Sequence, residues 1–280
     1  MRTDLAIESP SFLSTHPLER KKVKICKRHT EKIFLKIENE WEEKITGKPK
    51  GEYITLKFRD ILKFDDEKEI EEEIISSLEK LIDKKYNHIL IAGLGNEEIT
   101  SDSIGPKTAK KILATRHIEK QFAEKIGLKG LRSVSVITPD VLGKTGIETL
   151  EIIKGVANRV NPDLIIVIDA LAAASFKRLF STIQFCNTGI APGSGVKNAR
   201  KELSHKTLGV PVVALGVPTV VDAKSLSFEL TGKETNFEGD LIVTPKEADI
   251  LCHKISEIIS SALNVFLQPE IDRDIIKSLV

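Results

Sequence analysis

His88-Ile-Leu-Ile-Ala-Gly-Leu-Gly-Asn-Glu-Glu-Ile-Thr-Ser-Asp-Ser-Ile-Gly-Pro106 starts as an apolar strand, breaks at glycines and runs into a loop carrying Asp102. Leu164-Ile-Ile-Val-Ile-Asp169-Ala-Leu-Ala-Ala173 repeats the pattern, an apolar run leading into an aspartate and then small residues. Strands that are apolar on both faces and alternate with helices indicate a parallel sheet covered on both sides. In such a sheet ligands bind beyond the carboxyl ends of the strands. If the two strands lie close together, Asp102 and Asp169 face one crevice. Paired carboxylates suit acid/base hydrolysis, because burial and neighbouring charge push their pKa values apart.

Outward from these stretches the same alternation continues. The spacing predicts strands over 88–92, 133–138, 164–168, 182–186 and 211–215, and helices over 104–116 and 146–160. Thr244-Pro-Lys-Glu247 reads as a helix start and opens a long amphipathic helix to about Leu267. Lys224 to Glu238 reads as a surface excursion. An acidic amphipathic helix runs from Glu67 to about Lys84, with Ile70, Ile74, Leu78 and Leu81 on one face. Before it, Val23–Lys27, Lys32–Ile37 and Tyr53–Phe58 alternate apolar and polar residues as half-buried antiparallel strands do. The expectation is therefore an α/β fold, a mostly parallel twisted sheet with helices on both faces. Residues 1–64 form a β-rich segment packed on a 65–280 core, and the whole is one structural domain.

Composition narrows the function classes. A net charge of +1 over 280 residues leaves no electrostatic footprint for nucleic acid or an anionic membrane. No uninterrupted apolar run approaches the ~20 residues that span a bilayer, and the N-terminus lacks a secretory h-region, so a cytoplasmic protein is expected. Cys26, Cys186 and Cys252 are far apart without CxxC spacing, which favours reduced thiols over a disulfide framework or thiolate zinc site.

The motifs are weighed against plainer readings. Gly93-Leu-Gly95 follows a strand, but Glu98 stands where a dinucleotide fingerprint needs its third glycine, and no acid ends the next strand to hold a ribose. The glycines then serve a tight strand-to-loop turn. Asp102 could equally cap the helix that follows it. Asp169 could be a structural carboxylate bonding loop amides, although the small Ala170, Ala172, Ala173 and Ala174 beside it leave room for a substrate backbone. Asp140 and Asp222 also follow apolar runs and stand in reserve. Gly193-Ser194-Gly195 could form an amide nest for a carbonyl oxygen or anion, and with Gly95 and Asn96 these are the candidates for orienting substrate or stabilising an oxyanion. Pro192 and Val196 break the spacing of a nucleophile elbow. The six histidines show no HExxH pattern, so no metal site is expected, and His117 and His205 read as surface residues.

Taken together, Met1-Arg-Thr-Asp-Leu-Ala6, Gly93-Leu-Gly-Asn96, Ser101-Asp-Ser-Ile-Gly-Pro106, Gly143-Lys-Thr-Gly146, Val167-Ile-Asp-Ala170, Asn187–Gly195, Arg200–Ser204 and Gly216–Ala223 resemble the germination protease family. The resemblance runs in order nearly end to end. It implies a cofactor-independent endopeptidase of the spore core that degrades small acid-soluble spore proteins at germination. It also implies a homotetramer with neither nucleic acid nor membrane as a direct partner. The family is treated as aspartic-type, its fold similar to that of hydrogenase-maturation proteases, phosphorylase/hydrolase-like, and its two proposed catalytic aspartates map onto Asp102 and Asp169. Maturation proteases use acids at those places plus a histidine to grip nickel; Pro211 to Ala223 holds no histidine. Family members are typically zymogens whose propeptide ends just upstream of the Arg-Thr-Asp segment, and here Met1 immediately precedes Arg2, so no propeptide is expected. The rival readings are a non-catalytic anion- or nucleotide-binding module and a metal-dependent maturation-type protease.

Overall fold

The computed structural model describes residues 3–9, 22–63, 65, 67–83, 85–125, 127–193, 200–233 and 239–279. In chain order the elements are β1 (Val23–Cys26), β2 (Thr30–Ile37), α1 (Glu40–Thr46), β3 (Gly51–Phe58), α2 (Glu67–Leu81), β4 (His88–Gly93), α3 (Ile104–Ala109), α4 (Lys120–Lys125), β5 (Ser133–Ile137) and α5 (Leu142–Thr145). They continue with α6 (Thr149–Val160), β6 (Leu164–Ala173), β7 (Thr182–Cys186), α7 (His205–Leu208), β8 (Val212–Asp222), α8 (Ala223–Thr231), β9 (Ile242–Val243), α9 (Ala248–Leu267) and α10 (Arg273–Ser278).

One sheet runs through the described residues in the order β1-β2-β3-β7-β8-β6-β4-β5, with β9 beside β8. From β8 through β6 and β4 to β5 the pairings are parallel, as βαβ units require. From β8 outward through β7, β3, β2 and β1 they are antiparallel. The parallel expectation thus describes the inner half, and the α/β class holds for the whole. The N-terminal strands continue this sheet through the β3–β7 pairing instead of forming a layer of their own. Their alternating pattern has a physical source: α2 covers one face of β2 and β3, burying Ile54, Leu56 and Phe58 beneath Ile70, Ile74 and Leu78, with Phe34 packed against the same cluster.

Helices pack on both faces. On one side α2, α3 and α9 bury a core that includes Ile74, Ile91, Ile166, Phe185 and Ile259. On the other, α6 sets Ile153 and Ala157 against Leu90, Ile165 and Val167. Helix α9 is long and apolar enough to cross a bilayer by length and composition, but 67% of that stretch is buried inside the fold. Fully burying each Leu or Ile there is worth about 1.5–3 kcal/mol, which explains an apolar helix in a sheet-covering layer.

Several boundaries differ from the sequence reading. The helix expected over 104–116 ends at Ala109, and just past it the Lys111 carbonyl and the Leu113 amide bond to the Asn264 side chain of α9 instead of continuing a helix. The helix expected over 146–160 starts only at Thr149, as α6, because Gly146 at φ 70° closes a separate short helix, α5, just before it. The excursion expected after Lys224 is helical over its first part, because Asp222 caps α8 by accepting from the Lys224 and Ser225 amides. Thr244 does not cap α9; its hydroxyl donates to the Thr219 carbonyl and the helix begins at Ala248. Above all, β6 runs five residues past the expected end at Ile168, and Asp169 lies within a paired strand.

Candidate active site

Strand β4 has β5 on one side and β6 on the other, so the chain order switches direction at the β4–β6 seam. A crevice opens at such a switch point. Here it is a cavity of about 440 Å³ whose wall includes Asp4, Asn96, Asp102, Asp140, Asp169 and Arg200. Asp102 and Asp169 meet in it.

Asp102 ends a single 3-10 turn, Thr100–Asp102, that follows β4. Two glycines bring this turn close. A Cβ on Gly105 would stand 2.2 Å from the Leu94 carbonyl oxygen and 2.5 Å from that of Ile168, so only glycine lets the start of α3 rest on the ends of β4 and β6. Gly95 has φ 109°, and a Cβ there would meet the Asp102 carbonyl at 2.1 Å and its carboxylate at 2.9 Å. With Gly95 out of the way, the Asn96 amide donates to Asp102 Oδ2 at 2.7 Å. The turn is tied down elsewhere too: the Thr219 hydroxyl on β8 donates to the Ser101 carbonyl at 2.6 Å, and the Cys252 thiol on α9 reaches that of Thr100.

Asp169 is held from the other side. Its residue pairs with Gly216 of β8, which in turn pairs with Gln184 of β7. The carboxylate is only 5% exposed and accepts from the Ala170 amide at 2.9 Å. Burial, then the negative charge of Asp102, then that of Asp4, push its pKa well above the ordinary aspartate value, against the small opposing pull of the Ala170 amide. Asp102 is also raised, by burial first and by Asp140 in addition, but the Asn96 hydrogen bond opposes the rise by favouring the ionised form. The two environments differ in the sense that separates an acid from a base: Asp169 holds its proton more tightly, and Asp102 gives its proton up more readily.

The other sequence candidates are placed as follows. Gly95 and Asn96 line the cavity, with the Asn96 amide committed to Asp102 and its side-chain oxygen accepting from Glu98. Gly193 lines the same cavity at φ 70°; Ser194 and Gly195 lie outside the described residues. Asp140 is at the wall with φ 60° and is ion-paired to Lys144 at 3.1 Å, whereas Asp222 is spent as the α8 cap. His117 and His205 are exposed. Among the described residues no group of three His, Cys, Asp or Glu side chains could hold a metal ion.

Sequence reasoning missed Asp4, Thr219 and Arg200. Thr219 had a signal, as a lone polar residue in the apolar run of β8 that proves wholly buried. Asp4 had none beyond its place in a short N-terminal segment, because the contact that brings it here spans 168 residues of chain.

Comparison with known proteins supports the same direction. A family model described as germination protease matches residues 13–231. A germination protease of Caldanaerobacter subterraneus subsp. tengcongensis is 40% identical over 313 aligned positions, covering 96% of this chain and 94% of the relative. One of Clostridium acetobutylicum is 39% identical over 317 positions, covering 97% and 96%. Among solved structures, a nickel–iron hydrogenase maturation protease of Thermococcus kodakarensis aligns with a TM-score of 0.37 and 15% identity, over 64% of this chain and 94% of that one. With a family model matched over most of its length and relatives aligned almost end to end, the chain belongs to the germination protease family and is a protease.

Proposed function

We propose that this protease is an aspartic-type endopeptidase that starts the degradation of small acid-soluble spore proteins at germination, with Asp102 as general base and Asp169 as general acid. The observation that supports it is the pair itself: two carboxylates on one cavity, one steadied in its ionised form by an amide, the other buried under like charge. In this reading an ionised Asp102 takes a proton from a water as its oxygen attacks the scissile carbonyl. The Asp169 hydroxyl hydrogen-bonds to the carbonyl oxygen and transfers its proton to it. When the tetrahedral intermediate collapses, the proton on Asp102 passes to the departing amine nitrogen and Asp169 regains its own from the hydroxyl. General acid and base groups of this kind contribute about 10²–10⁴-fold each.

A crevice of about 440 Å³ beyond the ends of the parallel strands admits an extended chain more readily than a folded one. That suits a flexible substrate held in the spore core. Edge strand β1 exposes Val23 and Ile25, and no other described strand pairs with its outer side, so it offers an edge for the expected homotetramer.

The test is to incubate the purified protein with a small acid-soluble spore protein, beside Asp169→Asn and Asp102→Asn, with and without chelator. Discrete cleavage by the wild type, unchanged by chelator and at least about 10²-fold slower in both folded variants, is the expected result. Cleavage that survives in either folded variant refutes the dyad, and loss of cleavage with chelator shifts the reading to a metal-dependent protease.

A further inference from the structure

We propose that Asp4 is a positioning residue of this site, a third carboxylate that the N-terminal segment carries to the Asp169 end of the cavity to set how the pair is charged. The inference rests on the acid/base reading above. Residues 3–9 cross the carboxyl end of β6 as a strap. The Asp4 amide donates to the Ala172 carbonyl at 2.9 Å, and the Ala172 amide returns a bond to Asp4 Oδ2 at 2.8 Å. The Ala6 amide donates to Gln184 Oε1 at 2.6 Å, and Gln184 Nε2 donates back to the Asp4 carbonyl at 3.2 Å. Lys48, just past α1, holds the carbonyls of Asp4 and Thr3 at 2.9 and 3.3 Å. Leu5 and Ala6 are fully buried beneath these contacts.

Much of the strap is seated through its own main chain, and the bond that Asp4 Oδ2 accepts from the Ala172 amide is one that a neutral amide oxygen could accept as well. What a neutral group could not supply is the charge. Asp4 lines the dyad cavity and also a neighbouring one of about 560 Å³, so its carboxylate sits on the partition between them. Its charge acts on Asp169, three residues before the strand position it grips. Glu8 is the internal control. It performs the same mechanical task one step along, accepting from the Ala174 amide at 2.7 Å and the Ser175 amide at 3.2 Å and pairing with Arg178 at 2.8 Å, but it is not among the charges that act on Asp169.

Other charged groups among the described residues also face the site. Asp102 faces Asp169 from the turn after β4, and Asp140, paired with Lys144, faces Asp102 from beyond β5. Glu98 also pairs with Lys144, and Arg200 joins the wall from the segment before α7. Lys48 faces Asp4, Glu8 and Cys186, and burial lowers its pKa against their pull.

The test follows the Asp169 carboxyl by carbon-13 NMR titration, assigned by its absence in Asp169→Asn, in wild type, Asp4→Asn, Asp4→Glu and Glu8→Gln. Asp4→Asn is expected to lower the Asp169 midpoint by about half a pH unit or more, the scale of a near like-charge effect. The alkaline limb of the kcat–pH profile should move to lower pH with it while KM stays put. Asp4→Glu should restore the wild-type midpoint, and Glu8→Gln should leave it in place. An unmoved midpoint in Asp4→Asn, an equal movement in Glu8→Gln, or unfolding of Asp4→Asn alone would each overturn the assignment, the last by making Asp4 a plain anchor. The titration needs no cleavage, so a moved midpoint in a protein without protease activity would refute the proposed reaction and leave the placement of Asp4 standing.

Discussion

Replacing Asp169 by Asn should stabilise the protein in a way that grows with pH. The wild-type carboxyl is 5% exposed, and burial with the charges of Asp102 and Asp4 holds its pKa above the unfolded value. Between the two values the native state binds a proton that the unfolded chain has released. The slope of unfolding free energy with pH is 2.303RT times the difference in protons bound, unfolded minus native, so it is negative in that window. The acid therefore costs the wild type nothing below the unfolded pKa, near 3.9. It costs up to about 1.4 kcal/mol more for each pH unit above that value, until the folded pKa is passed and the cost levels off. Asn keeps the shape and removes the titration. It introduces an NH₂ group that must find an acceptor, a penalty of about 1–3 kcal/mol if it fails, but that offset does not vary with pH. The slope of the difference is thus diagnostic even where its absolute value is not. Urea unfolding of both proteins at half-unit steps from pH 4 to 8 measures it, since titrations of groups not coupled to Asp169 cancel in the subtraction. A difference that stays flat across the range would refute the buried, like-charged environment, and with it the reason for making Asp169 the acid.

Two further perturbations address the scaffold. Gly95→Ala forces a Cβ against the Asp102 carbonyl at a φ that alanine tolerates poorly; a loss of about 1–3 kcal/mol by thermal or urea unfolding is expected, with activity falling further than stability because the Asn96–Asp102 bond is displaced. Glu73→Gln removes the carboxylate that Lys32 holds at 2.7 Å and that Lys27 also contacts, leaving the buried Lys32 ammonium uncompensated. It should cost about 3 kcal/mol at pH 7, the lower end for a buried pair because Lys27 is half in solvent. Burial works against ionisation of Glu73, but the two lysines outweigh it and hold its pKa below the ordinary value. Its contribution is then complete above the unfolded pKa and lost as pH falls through the folded one, so the gap between wild type and variant should close in acid.

Local patterning carried the inner sheet. Runs such as Ile89–Ala92 and Leu164–Ile168 read correctly as two-faced strands, and the helix stripe of Ile70, Ile74 and Leu78 was visible in its spacing. That Asp102 and Asp169 share one crevice was legible for the same reason, since each follows an apolar strand of the parallel sheet. Elements decided by distant partners were not. The end of β6 was placed at Ile168 because a carboxylate in mid-strand contradicts strand propensity. Pairing of Asp169 through Ala173 with β8 overrides that preference, with a register shift between Leu171 and Ala172 absorbing the misfit. Helix α1 is short and rests on an Asn39 cap and a left-handed Gly47, a signature too small to outweigh a window of charged residues.

The extended β6 also explains why the site needs both halves of the sheet. Had the strand ended at Ile168, Asp169 would lie in a loop open to water, with little to hold its proton at neutral pH. Instead Asp169, Gly216 and Gln184 form one row across the seam where parallel pairing gives way to antiparallel. Gly216 makes room for the Leu171 side chain, which a Cβ there would meet at 2.4 Å, and Gln184 on the antiparallel side grips the strap that delivers Asp4. The N-terminal strands matter to the chemistry through this row. They carry β7 into register with β8 through the β3–β7 pairing, and loss of that pairing would release Gln184, then the strap, then the charge beside Asp169. A destabilising change at the β3–β7 seam, far from any reacting atom, should therefore shift the pH profile of cleavage in the same direction as Asp4→Asn, whereas an equally destabilising change under α9 should lower stability and leave the profile where it was.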